Sequence, residues 1–203
     1  MGKKTRRILA VALTLGLLAS LTGCGAQPGA AFQMALYAPF ADDEAFSAYG
    51  QQLAAALPGL TIDGEAPLFS AITTGTSNVD AQHAVGGMTK LTVMVTAKEL
   101  DMVIADPQTA ATHARTGMFY TLEDLFTAEQ LAPVTDRLIR YEQTDEQGNP
   151  TGAYTAYCGV DLTGYGPAET FGTASGYGLY IVANAPHLDQ AKEAFLYIIG
   201  QLA

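Results

Sequence analysis

The sequence has few cysteines and few basic residues, and each shortage excludes a class of protein. Its 203 residues include two cysteines, Cys24 and Cys158. If Cys24 is modified, as argued below, no intrachain disulfide is expected. Four of the ten Lys and Arg residues lie before residue 8, so the rest of the chain has six basic and twenty acidic residues, a formal charge of −14. A chain this acidic is not expected to bind nucleic acid.

The sequence also lacks the residue spacings of common catalytic and metal sites. Its histidines, His83, His113 and His187, are isolated, with no His-x-x-x-His pair. The acidic run 145–150 lacks the order of a calcium loop and is interpreted as a turn. Cys158 with a histidine is the one nucleophile pair worth naming, but its apolar neighbours favour a buried, inert thiol. We therefore expect no enzymatic activity, no metal and no cofactor.

The first 24 residues have the order of a bacterial export signal. A basic start is followed by an apolar run of 14 residues, 8–21, which is shorter than the roughly 20 residues that span a bilayer. Leu21-Thr22-Gly23-Cys24 resembles the lipobox of bacterial lipoproteins. The resemblance implies a signal peptide over 1–23, a lipidated tether over 24–31 that begins at Cys24, and a location on the extracytoplasmic face of the cell membrane. The alternative is an ordinary secretory signal with a chance cysteine.

The remaining residues, 32–203, predict one α/β domain. Apolar alternation predicts a first strand over 32–37, and a helix then begins at the acidic residues 42–44. A second strand is predicted over 60–63, a loop over the hydroxyl-rich run 70–78, and a helix over 79–100 that Gly86-Gly87 should break or kink.

The segment from Glu99 to Thr109 predicts the central strand and the helix that follows it. Met102 to Ala105 is a short apolar run, as expected of a strand covered on both faces. Asp106 is a favoured N-cap, Pro107 suits the first helical position, and Gly117 offers the stop.

The C-terminal half predicts short elements and one long closing helix. Short helices begin after Thr121 and Thr127, and two strands flank the turn at 145–150. The Gly- and Tyr-rich stretch 164–178 predicts no regular structure, whereas 179–183 predicts a strand and Pro186 opens the last helix. Together these elements indicate a three-layer sandwich with a mostly parallel sheet.

A helix that begins at the carboxyl end of a parallel strand marks the edge where open α/β sheets bind ligands. The candidate ligand-binding residues are those that follow the predicted strands, together with one tyrosine: Tyr37, Thr73, Thr74, Ser77, Asp106 and Tyr157. Two interpretations of Asp106 remain open, a ligand contact and a purely structural N-cap. The Ser and Thr residues equally fit a solvated loop, and the tyrosine fits ordinary strand packing.

Several of these segments together resemble one family. They are the lipoprotein start, the helix from Lys90 to Leu100, Glu99 to Pro107, Gly117 to Asp124 and the closing Asn184-Ala185-Pro186 helix. The pattern is similar to extracellular solute-binding lipoproteins of ABC importers, which have a periplasmic-binding-protein-like fold. At 180 residues after residue 23, the chain is little longer than one of the two lobes usual in that family.

The resemblance implies a lipid-anchored, non-catalytic binding protein. Its partners would be a small solute that the sequence does not identify, the membrane through the lipid anchor, and either an ABC permease or another surface protein. The alternative hypothesis is a cell-surface lipoprotein that docks another protein and binds no small solute.

Replacing Cys24 tests the anchor. Cys24→Ala should release the protein from membranes, because acyl chains supply most of the membrane affinity of a lipoprotein. Cell fractionation with immunodetection measures the distribution, and Cys158→Ala, which should stay with the membranes, is the control. Persistent membrane association of Cys24→Ala would contradict the anchor.

Overall fold

The computed structural model describes four stretches of the chain, residues 29–39, 41–73, 81–171 and 176–202. Within 81–84 only the helical backbone is described. The predicted signal, Cys24, Thr74 and Ser77 therefore lie outside the described residues. Among the helices in the described stretches, none is both long enough and apolar enough to cross a bilayer.

The described stretches contain eight strands and seven α-helices. The strands are β1 (Gln33–Ala38), β2 (Leu68–Thr73), β3 (Met102–Ala105), β4 (Leu138–Ile139), β5 (Glu142–Thr144), β6 (Pro150–Tyr154), β7 (Gly159–Asp161) and β8 (Gly178–Ile181). The helices are α1 (Asp43–Ala56), α2 (Ala81–Thr96), α3 (Pro107–Arg115), α4 (Leu122–Leu125), α5 (Ala128–Leu131), α6 (Gly166–Thr170) and α7 (Leu188–Ile199).

Six of these strands form one mixed sheet in the order β2-β1-β3-β8-β7-β4, and β5 and β6 form a separate hairpin. Strand β1 is parallel to both β2 and β3. The other three neighbouring pairs are antiparallel. The α/β class is confirmed, but the prediction of a mostly parallel sheet is wrong. The reason is that β8 begins at the edge of the sheet where β3 ends, with Gly178 opposite Ala105. Strand β8 therefore runs antiparallel to β3.

Helices cover both faces of this sheet. Successive residues of a strand point to opposite sides, so Met34 and Leu36 pack in one buried cluster and Ala35 and Tyr37 in the other. The first cluster contains the apolar residues of α1 and α7, and the second contains those of α2 and α3. The structure thus has three layers.

The first strand and helix form as predicted, but the second strand does not. Asp42 caps α1 by accepting from the Ala45 amide. Residues 60–63 form the end of a 3₁₀ turn and a single bridge, and the strand is β2, which overlaps the first four residues of the stretch predicted as a loop. Among the strands that the structure describes, β2 pairs with β1 alone and lies at the sheet edge, so polar residues are tolerated there. The Asp43 carboxylate accepts from the Ala71 amide of this edge strand at 2.7 Å.

Most later elements agree with the sequence patterns. Helix α2 is confirmed but runs through Gly86-Gly87 without a break, and α3 begins after Asp106 as predicted. A capping box at Thr127 begins α5, and the predicted last strand and last helix are β8 and α7. The stretch 164–178 was predicted to lack regular structure, which is wrong for α6.

A buried carboxylate joins three segments at the edge where β3 begins. Asp101 is fully buried. Its Oδ2 accepts from the Gln33 amide and its Oδ1 from the His187 amide, both at 2.8 Å, and His187 Nδ1 lies 3.1 Å from Oδ2. Burial raises the pKa of Asp101, and the bonds from Gln33 and His187 oppose that rise. The carboxylate therefore ties the start of β1 and the start of α7 to the central strand.

Replacing this carboxylate by an amide tests its contribution. Asp101→Asn keeps the side-chain volume but turns an NH₂ group toward a backbone donor, so one buried amide loses its acceptor. We expect the free energy of unfolding to fall by about 2–3 kcal/mol, measured by urea denaturation. The control, Asp189→Asn, changes an exposed residue in the first turn of α7 and should shift it by less than about 0.5 kcal/mol. Equal effects of the two substitutions would contradict the assignment.

Candidate functional site

The three parallel strands end at one edge of the sheet, and the candidate residues collect there. The register pairs Tyr37 with both Ile72 and Ala105, so β1, β2 and β3 end at the same level. Strand β8 begins at this level. We call the group formed by Tyr37, Thr73, Asp106 and Tyr177 the strand-end cluster.

Asp106 stands at the junction of β3 and α3 and uses only part of its carboxylate as a cap. Its Oδ1 accepts from the Gln108 amide at 3.0 Å and from the Thr109 amide at 3.1 Å. Among the residues that the structure describes, none donates a hydrogen bond to Oδ2. The side chain is half-buried. The prediction that Asp106 is the N-cap of this helix is therefore confirmed, and one oxygen remains for a second partner.

Two buried tyrosines lie within electrostatic range of this carboxylate, Tyr37 in the cluster on the α2 and α3 side of the sheet and Tyr177 in the cluster on the α1 and α7 side. The pKa of Tyr37 and that of Tyr177 are both raised, first by burial and then by the negative charge of Asp106. Both hydroxyls therefore stay protonated at neutral pH and can donate or accept hydrogen bonds. The cluster combines a carboxylate oxygen with two neutral hydroxyl-bearing rings.

A loop that sequence reasoning did not place brings Tyr177 to this edge. Thr163 donates to Asp161 Oδ1 with its amide, at 2.8 Å, and with its hydroxyl, at 2.7 Å. The Thr163 hydroxyl oxygen in turn accepts from the Gly176 amide at 2.9 Å. Gly176 has a φ of +93°, and a Cβ there would lie 3.5 Å from the ring of Pro107. The richness in Gly and Tyr was the only sequence signal of this arrangement.

A stacked aromatic pair belongs to the same buried cluster as Tyr37. Tyr180 stacks on Phe119 with ring centroids 4.4 Å apart, and its hydroxyl lies 2.6 Å from that of Tyr141. Burial raises the pKa of Tyr141 to about 12 and also raises that of Tyr180. The ring of Tyr180 lies over Gly159 and Gly178, where any added Cβ would overlap it. These glycines are needed for the close approach of the ring to the sheet.

The structure does not bring all the predicted residues together. Thr73 is exposed at the same edge as Asp106, and Thr74 and Ser77 lie outside the described residues. Tyr157 lies at the opposite edge, because it precedes β7 and that strand reaches the strand-end edge only at Asp161. Its ring instead lies 5.3 Å from the guanidinium carbon of Arg140. Tyr157 therefore lies away from Asp106, and its role in ligand binding stays a prediction.

His113, His187 and Cys158 do not belong to the strand-end cluster. His113 is buried, its ring packs edge-on against Phe119, and burial lowers its pKa while Asp106 opposes that change. The side chain of His83 lies outside the description. Within the described part of the chain, no group of three His, Cys, Asp or Glu side chains could hold a metal ion. Cys158 is buried, which raises its pKa to about 11, and its thiol points to the Ile139 carbonyl.

A groove lies on the α1 face of the sheet. It has a volume of about 460 Å³ and lies between α1 and α6. It is lined by Ala45, Ala48, Tyr49, Gln52, Gly166, Pro167 and Thr170. These residues carry no charge, and the Tyr49 hydroxyl already lies 3.1 Å from that of Tyr165. The groove offers less chemistry for orienting a polar ligand than the strand-end cluster does.

No known protein family, no curated protein and no solved structure matches this chain. The likeness to solute-binding lipoproteins therefore rests on the sequence features given above. The function must be inferred from the strand-end cluster and its chemistry.

The reactivity of Cys158 distinguishes an inert thiol from a nucleophile. With a pKa of about 11, about one thiol in a thousand is ionised at pH 8, and that fraction rises about tenfold per pH unit. In the Cys24→Ala chain, where Cys158 is the sole thiol, we expect a disulfide reagent to react very slowly at pH 8 in the native state and to completion after unfolding. Cys158→Ala gives the blank. Fast modification of the native protein would instead favour a catalytic cysteine.

Proposed function

We propose that the chain is a lipid-anchored, extracytoplasmic and non-catalytic binding protein that holds a small polar solute at the strand-end cluster. One observation carries this proposal. Asp106 caps α3 with Oδ1 alone, so its Oδ2 is left for another partner at the strand-end edge of the sheet, within electrostatic range of two protonated tyrosines.

The chemistry of the cluster narrows the class of solute. A carboxylate oxygen accepts hydrogen bonds, so the solute must carry a hydroxyl or ammonium donor. The rings of Tyr37 and Tyr177 are buried, so these residues add hydroxyls that can bind a polar group and no open ring face. Sugars, amino acids and polyamines meet these requirements.

The same geometry argues against an anionic ligand. The N-terminus of a helix binds anions through its free amide groups. In α3 the amides of Gln108 and Thr109 already bind Asp106, and Pro107 has no amide hydrogen. The negative charge of Asp106 would also repel a phosphate or a carboxylate at this point.

The sheet supplies one wall of such a site. The described residues form one six-stranded sheet with a buried cluster on each face. A solute on the strand-end edge would remain accessible to a second protein, and an ABC permease that accepts the solute is the partner that the sequence resemblance implies.

A ligand screen with a matched variant tests this function. The lipidated protein in detergent would be screened by thermal shift against sugars, amino acids, short peptides and polyamines. At 100 times its Kd, a true ligand adds about 2.7 kcal/mol to the folded state, which raises the midpoint by roughly 5–10 °C.

Asp106→Asn is the decisive variant. Asparagine is as good an N-cap as aspartate, so Oδ1 can still cap α3, but an NH₂ group replaces Oδ2. We expect an unchanged midpoint without ligand and loss of the ligand-induced shift. Asp189→Asn, at the start of α7, is the control and should keep the shift. A folded wild-type protein that none of the compounds stabilises, or an Asp106→Asn protein that keeps the full shift, would contradict the proposal.

A further inference from the structure

The outer face of α2 is an apolar surface with no charged side chain on it. Val85, Met88 and Val93 are 67 %, 52 % and 56 % exposed. At about 100° per residue they lie on an arc of about 140° of the helix, on the side away from the buried residues Gly87, Leu91 and Met94. The other residues of this arc whose side chains the structure describes are Thr89, Thr92 and Thr96, all exposed. We call these six residues the α2 outer face.

The threonines make this surface less polar than the sequence indicates. Thr89 donates its hydroxyl to the Val85 carbonyl at 2.7 Å, and Thr92 donates to the Met88 carbonyl at 2.9 Å. Both hydroxyl hydrogens are thus used within the helix. Val and Thr are also weaker helix formers than Ala, Glu or Lys. Helix stability therefore does not explain why these residue types occupy exposed positions of α2.

The point where the chain enters the domain places this face near the predicted lipid anchor. The Gly29 amide donates to the Lys98 carbonyl at 3.0 Å, two residues beyond the end of α2. Cys24 is five residues before Gly29, and five residues span at most about 17 Å. A lipid on Cys24 would therefore hold this end of α2 within about 17 Å of the bilayer.

Charge and area both fit a lipid surface better than a protein partner. Helix α2 contains no acidic residue, in a chain that is otherwise strongly acidic, so it presents no negative charge to an anionic bilayer. Its one basic residue, Lys90, lies beside the α2 outer face and not on it. A helix of 16 residues is about 24 Å long and about 10 Å wide, so its face covers a few hundred Å². A stable protein dimer buries about 800 Å² on each partner.

We infer that the α2 outer face lies on the surface of an anionic lipid bilayer when Cys24 is anchored. The inference rests on the lipid anchor of the proposed function and adds an orientation to it. The lipid anchor supplies most of the affinity for the membrane. A shallow contact of the α2 outer face with the bilayer therefore needs to add little binding free energy. The domain then lies on its α2 layer instead of moving freely on the tether.

An environment-sensitive probe tests the orientation. The lipidated full chain carrying Val93→Cys would be labelled with the NBD fluorophore and reconstituted into vesicles of phosphatidylethanolamine and phosphatidylglycerol. Cys158 is buried and should remain unlabelled. We expect the emission to shift to the blue and to be quenched by nitroxide lipids. The matched control is Gln51→Cys, an exposed position on α1 at the opposite face of the sheet, which should show neither effect.

Flotation of the same vesicles distinguishes a failure of the lipid anchor from a failure of the proposed orientation. Protein that floats with the vesicles while the Val93→Cys probe stays unquenched would overturn the orientation and leave the anchor intact. Protein that fails to float would overturn both. A blue shift that appears in detergent and grows with protein concentration would show that a second copy covers the face, which also overturns the inference. Quenching confined to Val93→Cys on floating protein supports it.

Discussion

The buried carboxylate of Asp101 is the constraint on which the arrangement of the layers depends. A charge removed from water is costly unless hydrogen bonds satisfy it. Here the donors come from Gln33 at the start of β1 and from His187 before α7. The Val182 amide also donates to the Asp101 carbonyl at 3.0 Å. The first strand, the last strand and the last helix are thereby fixed to β3, and the relative positions of the helical layers follow.

The two aspartates at the ends of β3 show how a structural carboxylate differs from one available for binding. Asp101 is fully buried, and both of its oxygens have donors from distant parts of the chain. Asp106 is half-buried and receives its donors from the helix that it begins, all of them at one oxygen. Both residues follow the same general rule that buried polar groups must be satisfied. The difference is that Asp106 keeps one oxygen, Oδ2, to which no described residue donates. The proposed function depends on this oxygen.

The strand-end cluster could be predicted only in part. Tyr37 and Asp106 directly follow or end strands whose apolar patterns are clear, so their common edge could be inferred from the order strand, helix, strand. Tyr177 could not, because its position depends on β8 lying between β3 and β7. The edge at which Tyr157 lies could not be predicted either, for the same reason. Strand β2 was missed because an edge strand with Ile72 as its single buried residue carries almost no apolar signal.

The sequence by itself determined the local structure: the signal-like start, the cap at Asp106, the first turn of α1 and the amphipathic α7. These depend on interactions between residues a few positions apart, which composition and spacing report directly. Only the tertiary structure decided the direction of β8, the edge at which Tyr157 lies, the burial of Asp101 and the exposure of the α2 outer face. Each of these depends on contacts between residues far apart in sequence, because strand order in a sheet is set by packing and long-range pairing that local patterns do not encode.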